Sequence, residues 1–314
     1  MKNIVASIAL LPLAALAGDK IDQQVEVPKD GKILIENQRG DVTIKSWDKN
    51  VFKVTGTLDD KAQGYTLETQ GSVTEFTVKM PKRTRGWNYG GGDGSTLTIY
   101  MPKTSELSFE GVNVNVSATD FSAGAQLKTV NGNVKATKLT GKIALETVNG
   151  DVDATDLAGN IRFETVNGEI NDHNSSGKLR FNAVNGDIES NTSATDIRLE
   201  NVNGEVEFKI KELEDLRLNT VNGEIDIRVE KMGGNASINM DTVSGDVQLF
   251  LPRDVSARFD IDAHSGGNIF NDLSEHKAKK AKYGPSRELE FILNGGQADV
   301  EIDTVSGRIE IKKN

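Results

Sequence analysis

A tetrapeptide that recurs at a fixed spacing constrains this chain more than any other feature of its sequence. Thr-Val-Asn-Gly, or a close variant of it, returns every 18 residues through the middle of the chain. Its Asn-Gly pairs are Asn131-Gly132, Asn149-Gly150, Asn167-Gly168, Asn185-Gly186 and Asn203-Gly204. They are followed at looser spacing by Asn222-Gly223 and by Gly245 and Gly307, each of which follows a serine. A constant period of this length is typical of a stacked-repeat architecture.

Each repeat has the pattern of two short strands joined at a corner. Ile143 and Leu145 alternate with Lys142, Ala144 and Glu146 before one Asn-Gly pair, and Val152 and Ala154 alternate with aspartates after it. Such alternation indicates strands, and Asn and Gly accept the positive φ that a corner needs. The same pair also favours a β-hairpin, which leaves an antiparallel sandwich, barrel or propeller as the alternative.

The constant spacing favours a solenoid, because each coil must then stack on the one before it. We therefore predict an all-β fold, a parallel β-solenoid with coils of about 18 residues, in which identical side chains form columns and Asn amides hydrogen-bond along one of them. Residues 105–314 would form this solenoid, with an excursion at 271–288. Residues 18–104 would form an N-terminal β cap that contains one further repeat copy.

The N-terminus has the features of a secretory signal peptide spanning residues 1–17. Lys2 supplies the positive end, an apolar stretch follows to Leu16, and Ala15-Leu16-Ala17 is a small-residue cleavage site. No later segment is apolar enough to cross a bilayer, so the mature chain is expected to have no transmembrane segment. We expect an exported protein of the periplasm or the cell surface.

Several motifs resemble a known bacterial family. Gly40-Asp41-Val42, Tyr100-Met101-Pro102, Leu251-Pro252 and the repeated Thr-Val-Asn-Gly are similar to those of the putative-adhesin family of β-strand-repeat domains of unknown function, which occur in cell-envelope proteins. The resemblance implies a fold like that of right-handed β-helical proteins and a role in adhesion or envelope stress. It implies no catalytic residues.

Stacked coils would convert the repeat into columns of charge about 4.8 Å apart. Before the corner, one outward column would hold Arg162, Arg180, Arg198 and Arg217. The neighbouring column would hold Glu146, Glu164 and Glu200 together with Asn182 and Asn219. Because opposite charges lie side by side, this face is interpreted as a self-compensated surface.

After the corner, the predicted columns are acidic, and almost no base lies among them. One contains Asp151, Glu169, Asp187, Glu205, Glu224 and Asp246, and its neighbour contains Asp153, Glu189, Glu207 and Asp226. Like charges at this spacing repel one another, so water and salt, Ca²⁺ or a basic partner would have to screen them. The first column is therefore a candidate metal site, although the Gly-Gly-x-Gly-x-Asp repeat of calcium-binding β-rolls is absent.

Two shorter features have the composition of recognition motifs, and the first of them is a candidate for binding. Arg83, Arg85, Trp87 and Tyr89 lie in a glycine-rich loop, where aromatic rings beside bases stack on sugars or bind anionic groups; a plain linker is the alternative. The tripeptide Arg39-Gly40-Asp41 matches a cell-binding motif, but it occupies the corner of an early repeat, and we assign it a structural role.

Composition limits the chemistry that this chain can perform. The net charge is −10, which argues against nucleic acid as a general partner. There is no cysteine, and the three histidines form no spaced cluster, so we predict no catalytic residues and no cofactor. The predicted function is that of a non-enzymatic cell-envelope adhesin or binding scaffold, with an envelope component, a glycan or a protein as its partner. Two alternatives remain: an envelope-stress regulator that sequesters a partner, and a carbohydrate-active β-helix enzyme.

Overall fold

A computed structural model describes residues 20–81 and 93–314, and all of its regular elements in those ranges are β-strands. The chain divides into two units, Met1–Val134 and Lys135–Asn314. The predicted signal peptide lies outside the described residues. No helix in the described part of the chain is long and apolar enough to span a membrane.

The first unit is built around one long strand. Its strands are β1 (Lys20–Glu26), β2 (Lys32–Trp47), β3 (Val51–Thr57), β4 (Tyr65–Gln70), β5 (Val73–Val78), β6 (Ser95–Pro102), β7 (Glu106–Thr119) and β8 (Ala125–Lys128). Strand β2 pairs in parallel with β7 on one edge, and with β5 and then β6 on the other. Antiparallel β4 extends β5, while β3 and then β1 extend β6.

Unit 2 contains the regular repeat. Its strands are β9 (Val134–Thr137, from the unit boundary), β10 (Thr140–Glu146), β11 (Val152–Thr155), β12 (Ala158–Asn167), β13 (Ile170–His173), β14 (Ser176–Asn185), β15 (Ile188–Thr192), β16 (Asp196–Asn203), β17 (Val206–Ile210), β18 (Leu213–Asn222), β19 (Ile225–Val229), β20 (Met232–Ser244), β21 (Val247–Leu251), β22 (Ala257–Ala263), β23 (Asn268–Asn271), β24 (Lys279–Lys280), β25 (Arg287–Leu293), β26 (Ala298–Ser306) and β27 (Arg308–Lys313).

These strands stack coil upon coil into two parallel sheets. The first sheet contains the strands before each corner, from β10 through β12, β14, β16 and β18 to β20, and the second contains those after it, from β11 to β21. Each residue lies beside its equivalent in the next coil, as Ile161 does beside Leu179. The predicted parallel solenoid is confirmed. The hairpin alternative is wrong, because the strands flanking an Asn-Gly pair bond to neighbouring coils rather than to each other.

The core of unit 2 lies between the two sheets. The inward positions predicted from the alternation are buried, and the aromatic rings stack along the coils: Phe163 lies 4.7 Å from Phe181, and Phe181 lies 5.1 Å from Phe208, between ring centroids. Burying one such side chain contributes about 1.5–3 kcal/mol. The core therefore fixes the register, and the register fixes which outward side chains become neighbours.

The end of the stack departs from the order of the sequence. Strand β26 pairs with β20 and β27 pairs with β21, so the last coil in the chain follows the coil of β20 and β21 directly. The earlier strands β22 and β23 lie on the far side of β26 and β27. Antiparallel β25 then borders β22, and the short β24 borders β25. The last coil is thus inserted between two coils that precede it in the sequence.

Candidate binding faces

The glycines at the corners are required chiefly by close backbone contact. A Cβ atom at Gly168, whose φ is 155°, would lie 1.9 Å from the carbonyl oxygen of Gly150. At Gly186 the φ lies outside the left-handed region, yet a Cβ would lie 1.8 Å from the carbonyl oxygen of Gly168. The corner asparagines do not have positive φ, so that part of the prediction is wrong. Close approach of successive coils explains the glycines better than backbone conformation does.

Those asparagines instead form a hydrogen-bonded ladder in unit 2. The Nδ2 of each donates to the Oδ1 of its equivalent in the preceding coil, from Asn167 to Asn149 at 2.9 Å and from Asn222 to Asn203 at 3.2 Å, with Asn185 between them. A row of half-exposed valines runs beside the ladder: Val148, Val166, Val184, Val202, Val221, Val243 and Val305. The side-chain amides of the ladder therefore bond successive coils to one another.

Three aspartates of the first acidic column accept hydrogen bonds from the backbone of the neighbouring coil. The Oδ1 atom of Asp151 accepts a hydrogen bond from the backbone N–H of Glu169 at 3.0 Å, and that of Asp187 accepts one from Glu205 at 2.7 Å. Asp246 does the same for Arg308 at 2.9 Å. Within residues 20–81 and 93–314, no group of three or more His, Cys, Asp or Glu residues has the arrangement of a metal site. The calcium hypothesis therefore gains no support from the geometry.

The neighbouring acidic column is partly neutralised, contrary to the prediction. Glu207 pairs with Lys209 at 2.8 Å and Asp226 with Arg228 at 2.9 Å, each base lying two residues further along the same strand. The hydrogen bond that Lys209 donates to the carboxylate of Glu207 raises the pKa of Lys209. Bases follow these acids at a spacing of two, which places both on the same outward face of the second sheet.

On the first sheet, the four arginines lie in one column as predicted. Arg162, Arg180, Arg198 and Arg217 are paired in register across β12, β14, β16 and β18. We call this column the arginine row. Its two end members have carboxylate partners on their own strands: Arg162 contacts Glu164, and Arg217 lies 3.4 Å from Asp215.

The middle of the arginine row lacks such partners. The guanidinium groups of Arg180 and Arg198 make no hydrogen bond or ion pair to any of the residues that the structure describes. The column beside them is interrupted at Asn182, which lies between Glu164 and Glu200 and donates to Glu164 at 3.3 Å. A shallow recess of about 270 Å³ opens here, lined by Arg162, Arg180, Phe181, Asn182, Arg198 and Glu200. The face is thus compensated at the ends of the row and not at its centre.

Comparison with known proteins places this architecture in a family. The profile of the Toastrack family of domains of unknown function, DUF4097, matches residues 31–312. The chain belongs to the Toastrack family. No curated protein matches it.

The Toastrack chain also resembles several solved structures at a distance. One is a "putative lipid binding protein" from Parabacteroides distasonis, at 11% identity and a TM-score of 0.41, covering 95% of this chain and 97% of that one. Another is a "putative cell adhesion protein" from Clostridium sporogenes, at 11% and 0.28, covering 94% and 100%. A "putative adhesin" from Bacteroides fragilis matches at 12% and 0.31, covering 93% and 97%. Likenesses this distant say nothing about what the Toastrack chain binds.

The other sequence candidates separate into two groups. Arg83, Arg85, Trp87 and Tyr89 lie outside the residues that the structure of the Toastrack chain describes. In the Arg-Gly-Asp tripeptide, Nη1 of Arg39 lies 3.5 Å from Oδ2 of Asp59, with side chains 11% and 1% exposed. The tripeptide's aspartate accepts a hydrogen bond from the side chain of Asn115 at 2.9 Å. These contacts give the motif a structural role.

Two acidic features of the Toastrack chain were not predicted from its sequence. The inserted last coil brings Asp303 beside Asp262. Burial raises the pKa of Asp262, and the negative charges of Asp303 and Asp260 raise it further. The second feature is Asp172, which is fully buried and accepts a 2.7 Å hydrogen bond from Ser190. Burial raises the pKa of Asp172. The equivalent residue in the preceding coil is Ala154. The repeat therefore predicts that position 172 is buried, but it does not predict an aspartate there.

Proposed function

We propose that this protein is an exported, non-enzymatic binding scaffold of the cell envelope, adhesin-like in its mode of action. The observation that carries the proposal is the display of equivalent charged side chains in regular rows on the outer faces of the stacked sheets. Partners with repeating or extended surfaces can contact several members of such a row at once. Individually weak contacts then add up over the length of the row.

The disposition of the carboxylates supports binding over catalysis. Glycoside-cleaving enzymes bring two carboxyl groups together across a substrate cleft. In unit 2 the carboxylates follow the coil repeat, and Asp151, Asp187 and Asp246 are engaged with backbone N–H groups of the next coil. Residues that serve the stack in this way are poorly placed to serve as general acids or bases.

Export is proposed from the N-terminal sequence. The charged start, the apolar stretch and the Ala15-Leu16-Ala17 site have the arrangement that signal peptidases recognise. The periplasm and the cell surface both fit this signal, and an envelope location fits a scaffold that holds a glycan or a protein partner.

Protease shaving of intact cells, followed by detection of the protein in each fraction, tests the location. Loss of the protein from intact cells would support surface display, and protection until the envelope is breached would support the periplasm. Recovery in the cytoplasm would contradict the proposal. Purified protein should also bind isolated envelopes saturably and release no reducing ends from acidic or neutral polysaccharides; release of reducing ends would favour the enzyme alternative.

A further inference from the structure

The arginine row has the layout of a binding track for a thin, negatively charged chain. Its four guanidinium-bearing residues occupy successive strands, so they repeat at about 4.8 Å and span about 14 Å. Guanidinium groups bind carboxylate and sulfate oxygens through pairs of parallel N–H donors. Stacked arginines repel one another, and an anion laid along the row would remove that repulsion.

The centre of the row is where an anion fits best. Arg180 and Arg198 have no acceptor among the described residues, and both line the recess beside Asn182. An asparagine at this position leaves the neighbouring column without a carboxylate between Glu164 and Glu200. On the other side of the row, Asp196 lies 2.9 Å from Lys178. This ion pair neutralises the aspartate, which therefore does not oppose a bound anion.

The flanks of the row restrict the kind of polyanion. The row is one arginine wide, with Glu164 and Glu200 on one side and Asp196 and Asp215 on the other. A wide polyanion such as duplex DNA would bring phosphates against Glu200, the member of these flanks that has no ion-pair partner among the described residues. The outward positions of β12, β14, β16 and β18 between these flanks also present no aromatic ring on which a nucleobase could stack.

We propose that the outer face of the first sheet binds an acidic polysaccharide along the arginine row, with Arg180 and Arg198 holding its carboxylate or sulfate groups. The proposal rests on the proposed function as a binding scaffold and names the chemical class of its ligand. Hydroxyl groups of the sugars would face the flanking carboxylates and Asn182, which are hydrogen-bond acceptors and donors suited to them.

Binding of the full mature chain to defined polymers tests the proposal. The probes are polygalacturonate for carboxylates, dextran sulfate for sulfates, and neutral dextran. Saturable binding to either acidic polymer, weakened by salt and absent with neutral dextran, is the expected result. Preference between the two acidic polymers would identify the anionic group. Equal binding of single-stranded DNA would overturn the assignment to a glycan.

Three variants assign the binding to the row. Arg180→Gln combined with Arg198→Gln should weaken binding about tenfold or more, since two charge-assisted contacts are lost. Asn182→Glu fills the gap in the acidic column and should weaken binding about fivefold, whereas Glu200→Gln should tighten it about twofold. The matched control, Lys209→Gln with Lys211→Gln, makes the same change in net charge away from the first sheet and should have no effect.

Unaltered affinity of the Arg180 and Arg198 variant, with the melting temperature preserved, would overturn the proposal. So would an equal loss in the control, since binding would then follow net charge alone. Absence of binding to both acidic polymers, while the purified protein still binds isolated envelopes, would remove the acidic-glycan assignment and leave the scaffold function standing.

Discussion

Gly186→Ala should destabilise unit 2 severely, although it adds only one methyl group. The new Cβ would lie 1.8 Å from the carbonyl oxygen of Gly168, and ordinary contact begins at 3.4 Å. The two coils must separate here to admit it. Separation strains the backbone bonds that join them, Gly168 N to Asn185 O at 3.3 Å and Ile170 N to Asp187 O at 3.0 Å.

The magnitude follows from these two effects. Losing two hydrogen bonds costs about 2 kcal/mol, and overpacking a rigid site costs about 1–3 kcal/mol. We therefore expect a loss of roughly 3–5 kcal/mol in the free energy of unfolding. Urea denaturation followed by circular dichroism measures it, with the m-value checking that the transition is comparable with that of the wild type.

Two control variants separate close contact from backbone conformation. A methyl group at Gly234 would have no atom within 4 Å, and this glycine has no positive φ, so Gly234→Ala should change stability by no more than about 0.5 kcal/mol. Gly71 has φ +60° and equally open surroundings, so Gly71→Ala should lose about 1–2 kcal/mol from conformation alone. If Gly186→Ala is as stable as the wild type, or loses no more than Gly71→Ala, close contact between coils does not explain the corner glycines.

Three further predictions follow from other contacts. Asp172→Asn should make the free energy of unfolding less dependent on pH in the acid range, because burial raises the folded-state pKa of Asp172 and protonation of this carboxylate therefore stabilises the wild type. In chemical denaturation, the stability of the wild type relative to the variant should rise as pH falls through that raised pKa towards 3.8; a constant difference would contradict this. Asn185→Ala removes two ladder hydrogen bonds, of 3.1 and 3.0 Å, and should cost about 1 kcal/mol in denaturant titrations, with no loss arguing that water replaces the ladder fully. Arg39→Ala leaves the buried carboxylate of Asp59 without its ion-pair partner and should cost about 3 kcal/mol in thermal unfolding; an unchanged melting temperature would favour recognition over a structural role for the tripeptide.

The period of the repeat was sufficient to predict the coil, its two strands and the arginine row. A constant spacing of 18 residues places Arg162, Arg180 and Arg198 in one column without any further information. It could not show that the row is unpartnered at its centre, because that depends on which side chain each guanidinium reaches. The role of the corner glycines was also ambiguous, since positive φ and close contact select the same residue.

The position of the last coil could not be predicted, for a different reason. From Gly223 onwards the spacing loosens, so equivalence in sequence no longer implies adjacency in space. A parallel strand can join either free edge of a sheet if its connection is long enough. The segment from β22 to β25 provides such a connection, and with it the acidic neighbours Asp262 and Asp303.

The inserted coil sets an order of assembly that synthesis does not follow. Strands β22 to β25 precede β26 and β27 in the chain, yet in the folded protein β26 and β27 lie between them and the rest of the stack. Coils therefore stack in the order of the sequence only as far as β21. The edges of β20 and β22 gain their native partner only when β26 is placed between them, and those of β21 and β23 only when β27 is. Completion of the stack therefore depends on the last strand of the chain, which ends at Lys313.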